Sequence, residues 1–303
     1  MNITPFKYLY PFTSHWLHLD DINYHFLDEG SKDAPPIVML HGNPTWSFYY
    51  RTLIPELSKT HRVIVPDHVG CGFSDKPQDY PYTLEQHIQN LEVLINHLGL
   101  EHITFVLHDW GGAIGMGYAT RHPKKASRFV IFNTAAFLSN KVPLRIKICR
   151  VPIIGAFLVR ALNGFALAAF KFATKQPRRF SKQVRTGYIA PYDNWQNRIA
   201  IHRFVCDIPL EANHPTRKTV EEIDSKLYLL RDCQMLIIWG KGDFCFTERD
   251  FLPMWQTRFP DAEVHVIPNA GHYVVEDAHE QILPYIEQFL NVEIFSGSYS
   301  PTK

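Results

Sequence analysis

The chain has 303 residues, 46% of them hydrophobic, and a formal net charge of +1. That length supports one large core, or a core domain carrying an inserted second domain. Near-neutrality excludes a general attraction to nucleic acid or other polyanions. Cys71, Cys149, Cys206, Cys233 and Cys245 are scattered, with no CxxC or Cys/His metal spacing, which points to a reduced, cytoplasmic protein. No signal peptide is expected, because the first residues lack a charged region followed by an apolar one. The most apolar window, residues 151–170, is interrupted by Arg160 and Asn163, so no transmembrane helix is expected either.

Residues 15–28 alternate apolar and polar side chains around Asp20-Asp21, the pattern of a β-hairpin. Residues 36–40 are a short apolar run, as in a strand buried on both faces. His41-Gly42-Asn43-Pro44 ends it, and a helix is predicted over residues 47–57. The next buried strand, 63–65, runs into Asp67, which is expected to brace the Gly70–Gly72 loop. Thr83 and Gly99 read as the caps of a helix closing at Leu98. Residues 103–107 predict a strand that turns abruptly at Asp109 and Trp110 into a helix over 113–121, followed by a strand over 129–132. No buried strand run occurs between about 138 and 219, a stretch of helical character punctuated by prolines. Alternation then resumes with a helix near 220–230, strands at 235–239 and 263–267, and helices at 247–258 and 278–291. Residues 296–303 read as a loose tail.

Such alternation predicts a mostly parallel sheet with helices on both faces. The division expected is residues 1–137 and 220–303 as two parts of one α/β core, with 138–219 as a helical cap. Between Ser139 and Pro191 there are eleven Lys or Arg and no Asp or Glu. That segment is either a solvated basic face or a contact for an anionic membrane surface or acidic partner.

Three reactive residues follow predicted strands in order: Asp109, Asp243 and His272. A strand, a tight turn with a nucleophile at its apex and a Gly-rich helix start form a nucleophile elbow, and nucleophile, acid, base is the chain order of the α/β-hydrolase fold. Together they read as a catalytic triad. An Asp nucleophile suits attack at a saturated carbon. Serine there would leave an ether, whereas aspartate leaves an ester that water can cleave. His272 then serves as general base for water and Asp243 orients it. Asn43 and Trp110 offer backbone N–H groups to an oxyanion and neutral side-chain N–H donors to a departing anion such as halide. His108 reads as a packing or positioning histidine. Trp46, Phe73, Phe137 and Phe204 are candidates to line a pocket.

His41-Gly42-Asn43-Pro44-Thr45-Trp46, His108-Asp109-Trp110-Gly111-Gly112 and Gly271-His272 resemble the haloalkane dehalogenases over nearly the whole chain. The resemblance implies Asp109 as nucleophile, His272 as base, Asn43 with Trp110 as halide ligands, and no cofactor or metal. It leaves the acid to Asp243, because Phe132-Asn133-Thr134-Ala135 carries no carboxylate after the strand that follows the elbow. The expected partners are a small apolar alkyl substrate, water and the halide product. Residues 66–72, 112–118, 133–137 and 190–195 resemble a subgroup overlapping the β-lactone decarboxylases, which release an alkene and carbon dioxide. Dehalogenation is the first reading and lactone decarboxylation the second. Epoxide hydrolysis is a third, with Tyr188 and Tyr192 as the acids, and a binding protein on a hydrolase scaffold is the non-enzyme alternative.

Overall fold

The protein is described from a computed structural model covering residues 1–291; the tail expected at 296–303 lies outside the described residues. Eight strands form one sheet in the order β1-β2-β4-β3-β5-β6-β7-β8. The hairpin is β1 (Ser14–Leu19) and β2 (Ile22–Glu29), antiparallel, with β2 also antiparallel to β4 (Arg62–Pro66). The remaining strands, β3 (Pro36–Leu40), β5 (Ile103–Leu107), β6 (Ala126–Phe132), β7 (Gln234–Gly240) and β8 (Glu263–Ile267), pair in parallel.

In β3, β5, β6 and β7 the apolar runs are buried because both sheet faces are covered, whereas the edge strand β8 is only partly buried. Side chains alternate across a strand, so Val38 and Leu40 enter one core while Ile37 and Met39 enter the other. The first core is shared with α2 (Leu84–Leu98), α3 (Trp110–Arg121), α9 (Pro215–Lys226) and α10 (Glu248–Arg258). The second is shared with the short α1 (Ile54–Leu57) and with α11 (Val274–Asn291). The Thr83 side chain accepts from the Gln86 N–H, and Gly99 closes α2 at φ 61°, as the caps predict.

The single helix predicted over residues 47–57 is instead a 3₁₀ turn, Ser47–Tyr50, followed by α1. Pro55 lacks the N–H that would bond the Arg51 carbonyl, and its ring crowds that carbonyl. Three other helices begin earlier than predicted, among them α9, which starts at Pro215 rather than near 220. The helix after the elbow starts at Trp110, and α11 starts at Val274 with a non-helical kink at Ala278.

Between β6 and β7 the described chain forms helices and no strand. They are α4 (Leu144–Cys149), α5 (Ile154–Ala156), α6 (Gly164–Phe172), α7 (Lys182–Ile189), α8 (Ile199–Cys206) and α9, and a π-helical turn, Phe157–Ala161, continues α5. Long-range hydrogen bonds tie α7, α8 and their connection to the loop after β3. The Trp46 indole donates to the Gly187 carbonyl at 3.0 Å and the Tyr192 hydroxyl to the Thr45 carbonyl at 3.1 Å. Among the described residues no single helix is long and apolar enough to cross a membrane.

Candidate active site

Asp109 sits between β5 and α3 at φ 51°, ψ −125°. A non-glycine residue with positive φ costs on the order of 1–3 kcal/mol unless its surroundings enforce it. They do: the Asp109 N–H donates to the Asn133 carbonyl at 3.1 Å, and the Thr134 hydroxyl donates to the Asp109 carbonyl. The side chain is thereby turned toward the loop after β3. There the Asn43 N–H donates to Asp109 Oδ1 at 2.7 Å. Only glycine fits at position 42, because a Cβ there would lie 2.1 Å from Asp109 Oδ1.

His272, between β8 and α11, is held by contacts on both sides. Its Nδ1 lies 2.9 Å from Asp243 Oδ2, and its Nε2 lies 3.6 Å from Asp109 Oδ2. An ionised carboxylate only accepts, so Nδ1 carries the proton and Nε2 faces Asp109. Asp243 is itself fixed, its Oδ1 accepting from the N–H groups of Cys245 at 2.6 Å and Phe246 at 3.1 Å. The loops bearing Asp243 and His272 touch at Gly240, where a Cβ would lie 2.1 Å from the Gly271 carbonyl oxygen. The three predicted residues from three strand ends thus meet in one place. Asn133, where an acid was absent from the sequence, bridges β6 to β7 by accepting from the Gly240 N–H at 2.7 Å and donating to its carbonyl at 3.1 Å.

A family model described as the alpha/beta hydrolase fold matches residues 35–278. The chain belongs to the α/β-hydrolase family. It is 44% identical over 289 residues to a cis-3-alkyl-4-alkyloxetan-2-one decarboxylase of Shewanella oneidensis, covering 93% of this chain and 89% of that one. It is 30% identical to haloalkane dehalogenase 2 of Mycobacterium bovis, covering 95% and 99%. The crystal structure of the haloalkane dehalogenase DatA from Agrobacterium tumefaciens C58 superposes with a TM-score of 0.83 at 25% identity, covering 92% of this chain and 96% of that one. This α/β-hydrolase is therefore an enzyme of a group that includes lactone decarboxylases and haloalkane dehalogenases.

The hydrolase's reactive edge opens into a forked, mainly apolar cavity. One arm runs past Trp110, Phe137, Val205 and Phe251, the other past Leu158, Ala168, Phe172 and His272. Asn43, Asp109, Ile146, Phe165 and Cys245 border both, so the arms meet at Asp109. Their empty volumes, measured out to the solvent opening, are about 890 Å³ and about 900 Å³. Of the four aromatic candidates only Phe137 lines an arm. Trp46 stacks on Phe48 and packs with Phe73 and Tyr10, and Phe204 packs on Trp110 with ring centroids 5.4 Å apart. Tyr188 and Tyr192 are buried away from both arms, their hydroxyls given to Glu276 and the Thr45 carbonyl, which takes from epoxide opening the acids it was expected to use. The Asn43 side-chain amide has a partner no local pattern announced, the Ile201 carbonyl on α8 at 3.0 Å. His108 and Asp67 pack as expected. His108 Nε2 donates to the His272 carbonyl at 2.8 Å, and Asp67 accepts from the Phe73 N–H at 2.9 Å beside the buried His25. Among the described residues no group of three or more His, Cys, Asp or Glu could hold a metal ion.

Burial pushes the Asp109 carboxyl above its ordinary range, opposed by His272 and by the N–H groups of Asn43 and Trp110. Burial pushes the His272 imidazole down, but the Asp243 and then the Asp109 carboxylate outweigh it, and the net direction is up. A nucleophilic role for Asp109 requires its ionised form, so any alkylation of Asp109 is expected to slow with decreasing pH as that carboxyl protonates. His272 lowers the Asp109 value, so His272→Gln is expected to shift this acid limb to higher pH in single-turnover alkylation. A limb unmoved or shifted to lower pH contradicts the assigned coupling.

Proposed function

We propose that the chain converts a cis-3,4-dialkyl β-lactone into an alkene and carbon dioxide. Asp109 is the nucleophile, His272 and Asp243 are its partners, and Asn43 and Trp110 receive the departing oxyanion. The observation that carries this reading is the forked apolar cavity with one carboxylate at the fork. A four-membered lactone with alkyl groups on adjacent carbons brings two chains to one reacting centre, whereas a 1-haloalkane brings one. The relative at 44% identity, whose name specifies such a lactone, supports the same choice. Residues 138–219 act as the cap in this scheme, with α9 straddling their second boundary.

Asp109 Oδ2 attacks the oxygen-bearing ring carbon from the face opposite the ring oxygen. That carbon–oxygen bond breaks, and its electron pair stays on the new carboxylate. Inversion leaves the aspartyl ester and the carboxylate antiperiplanar. The bond to the carboxylate carbon then supplies the π electrons of the alkene, carbon dioxide departs, and the ester carbon–oxygen pair returns to Asp109. The alkyl groups remain cis and no water is consumed. His272, held by Asp243, stabilises the carboxylate before attack and on its return.

Dehalogenation of a haloalkane is the second reading, favoured by the superposition on DatA and by Trp110, a neutral donor by type, on the wall of the first arm. Attack on the alkyl carbon is the same, and water activated by His272 then hydrolyses the ester. A paired assay separates the two, measuring alkene from a cis-3,4-dialkyl lactone against bromide from 1-bromobutane. Alkene as the dominant product is expected; bromide release with no alkene overturns the first reading.

A further inference from the structure

The cap carries an apolar surface that the reaction at Asp109 does not use. On α4, Ile146 turns into the cavity, while Leu144 and Ile148, one turn apart, face solvent. Val159 is buried, whereas Ile153, Ile154 and Phe157 are exposed. Ile153 is 86% exposed and adopts φ 67°, a backbone state that β-branched residues almost never take. These segments adjoin one another. The Arg145 guanidinium lies 4.5 Å over the Phe172 ring, and α4, the turn at Leu158 and α6 together wall the second arm of the cavity. Single exposed apolar side chains are ordinary, but a clustered set on adjoining helices marks a contact surface.

No acid occurs from Ser139 to Pro191, and only Lys141, Arg150 and Arg179 of that segment pair with acids from elsewhere among the described residues, namely Asp250, Glu211 and Glu280. Lys147 and Lys171 are exposed and make no ion pair among the described residues. Ile154–Ala161 and Gly164–Phe172 together have the length and apolarity of a membrane span, but they are bent by 75°. A bent, apolar, base-flanked pair of helices fits the interface of a bilayer rather than its interior. Phe172 belongs both to this face, where it is 43% exposed, and to the wall of the second arm.

We propose that the cap face of α4, residues 153–161 and α6 docks on an anionic lipid bilayer and sets the mouth of the second arm against the acyl layer. Apolar side chains enter the headgroup boundary, and Lys147 and Lys171 pair with lipid phosphates. A dialkyl substrate, which partitions into lipid, then reaches Asp109 without crossing water. This last step rests on the proposed function; docking itself is measured without turnover, so the two fail separately.

The test is flotation of the full chain with phosphatidylcholine vesicles, with and without phosphatidylglycerol, at low and high salt. Binding is expected only with phosphatidylglycerol, with release by salt. Ile153→Asp combined with Phe157→Asp, and separately Lys147→Glu combined with Lys171→Glu, are each expected to lower partitioning by about tenfold or more. Both pairs are exposed and lie off the cavity wall, so unchanged thermal unfolding and unchanged alkylation of Asp109 by 1-bromobutane in detergent-free buffer establish an intact fold and site. Wild-type protein that does not float with phosphatidylglycerol at low salt overturns the proposal, as does binding that survives both double variants. A dimer that the Ile153/Phe157 variant splits, without vesicle binding, also overturns it and assigns the face to a second copy.

Discussion

Asp109→Asn is expected to abolish alkene formation, with a loss on the order of 10⁴-fold or more, as for removal of a covalent nucleophile elsewhere. The amide is nearly isosteric and keeps an oxygen to accept from the Asn43 N–H, which lies 2.7 Å from Asp109 Oδ1. It lacks the anion that attacks carbon and cannot form a carboxylic ester. The substitution also removes a charge that burial disfavours, so the fold should be retained. Alkene release is measured by gas chromatography, with circular dichroism as the folding control. A variant that keeps more than about a hundredth of the wild-type rate excludes Asp109 as the covalent nucleophile.

His272→Ala divides the reaction at its second step. With 1-bromobutane the variant should still be alkylated at Asp109, because Asp109 Oδ2 attacks directly and the N–H groups of Asn43 and Trp110 remain. Hydrolysis of the ester then lacks its base, a loss of about 10²- to 10⁴-fold, so the butyl ester accumulates. Mass spectrometry of the peptide containing Asp109 detects it. With the lactone the loss should be smaller, because elimination moves no proton and returns the electron pair straight to Asp109. Equal losses for both substrates would mean that both leave through water. No adduct with any substrate class would favour the binding-protein alternative.

Strand positions were legible because burial on both faces imposes continuous apolar runs. β3 and β5 have the bounds those runs predict, and so does the edge strand β8, although it is only partly buried. Asp109, Asp243 and His272 were legible for a related reason: a parallel sheet delivers successive strand ends to one edge, so order along the chain becomes proximity in space. The break at Pro55 was also open to local reading, since a proline in the middle of a predicted helix removes a hydrogen bond. The start of α3 was less so. Gly111 and Gly112 disfavour helix, and Trp110 joins it because the elbow is pinned from Asn133 and Thr134.

Other features had no local signal. The Asn43 amide finds its acceptor at Ile201, 158 residues away. Trp46 and Phe73 look like pocket residues by type, yet the aromatic rings of Tyr10 and Phe48 claim them. Ile146 and Phe165 stand at the fork because of how α4 and α6 seat against the core, which helical periodicity within either segment does not encode. Both the basic residues between 139 and 191 and the apolar Ile153, Ile154, Phe157 and Leu158 among them were visible in the sequence, but which of the apolar ones face solvent became evident only when the buried side of each helix was known.

The most direct measurement is a single turnover of a cis-3,4-dialkyl β-lactone in ¹⁸O-water, with gas chromatography of the product and mass analysis of the Asp109 peptide. Attack at the alkyl carbon followed by elimination requires cis-alkene, carbon dioxide and an unlabelled Asp109, because water never reaches the ester. A 3-hydroxy acid together with ¹⁸O in the Asp109 carboxylate would contradict it, and would make this site a hydrolase acting on the lactone.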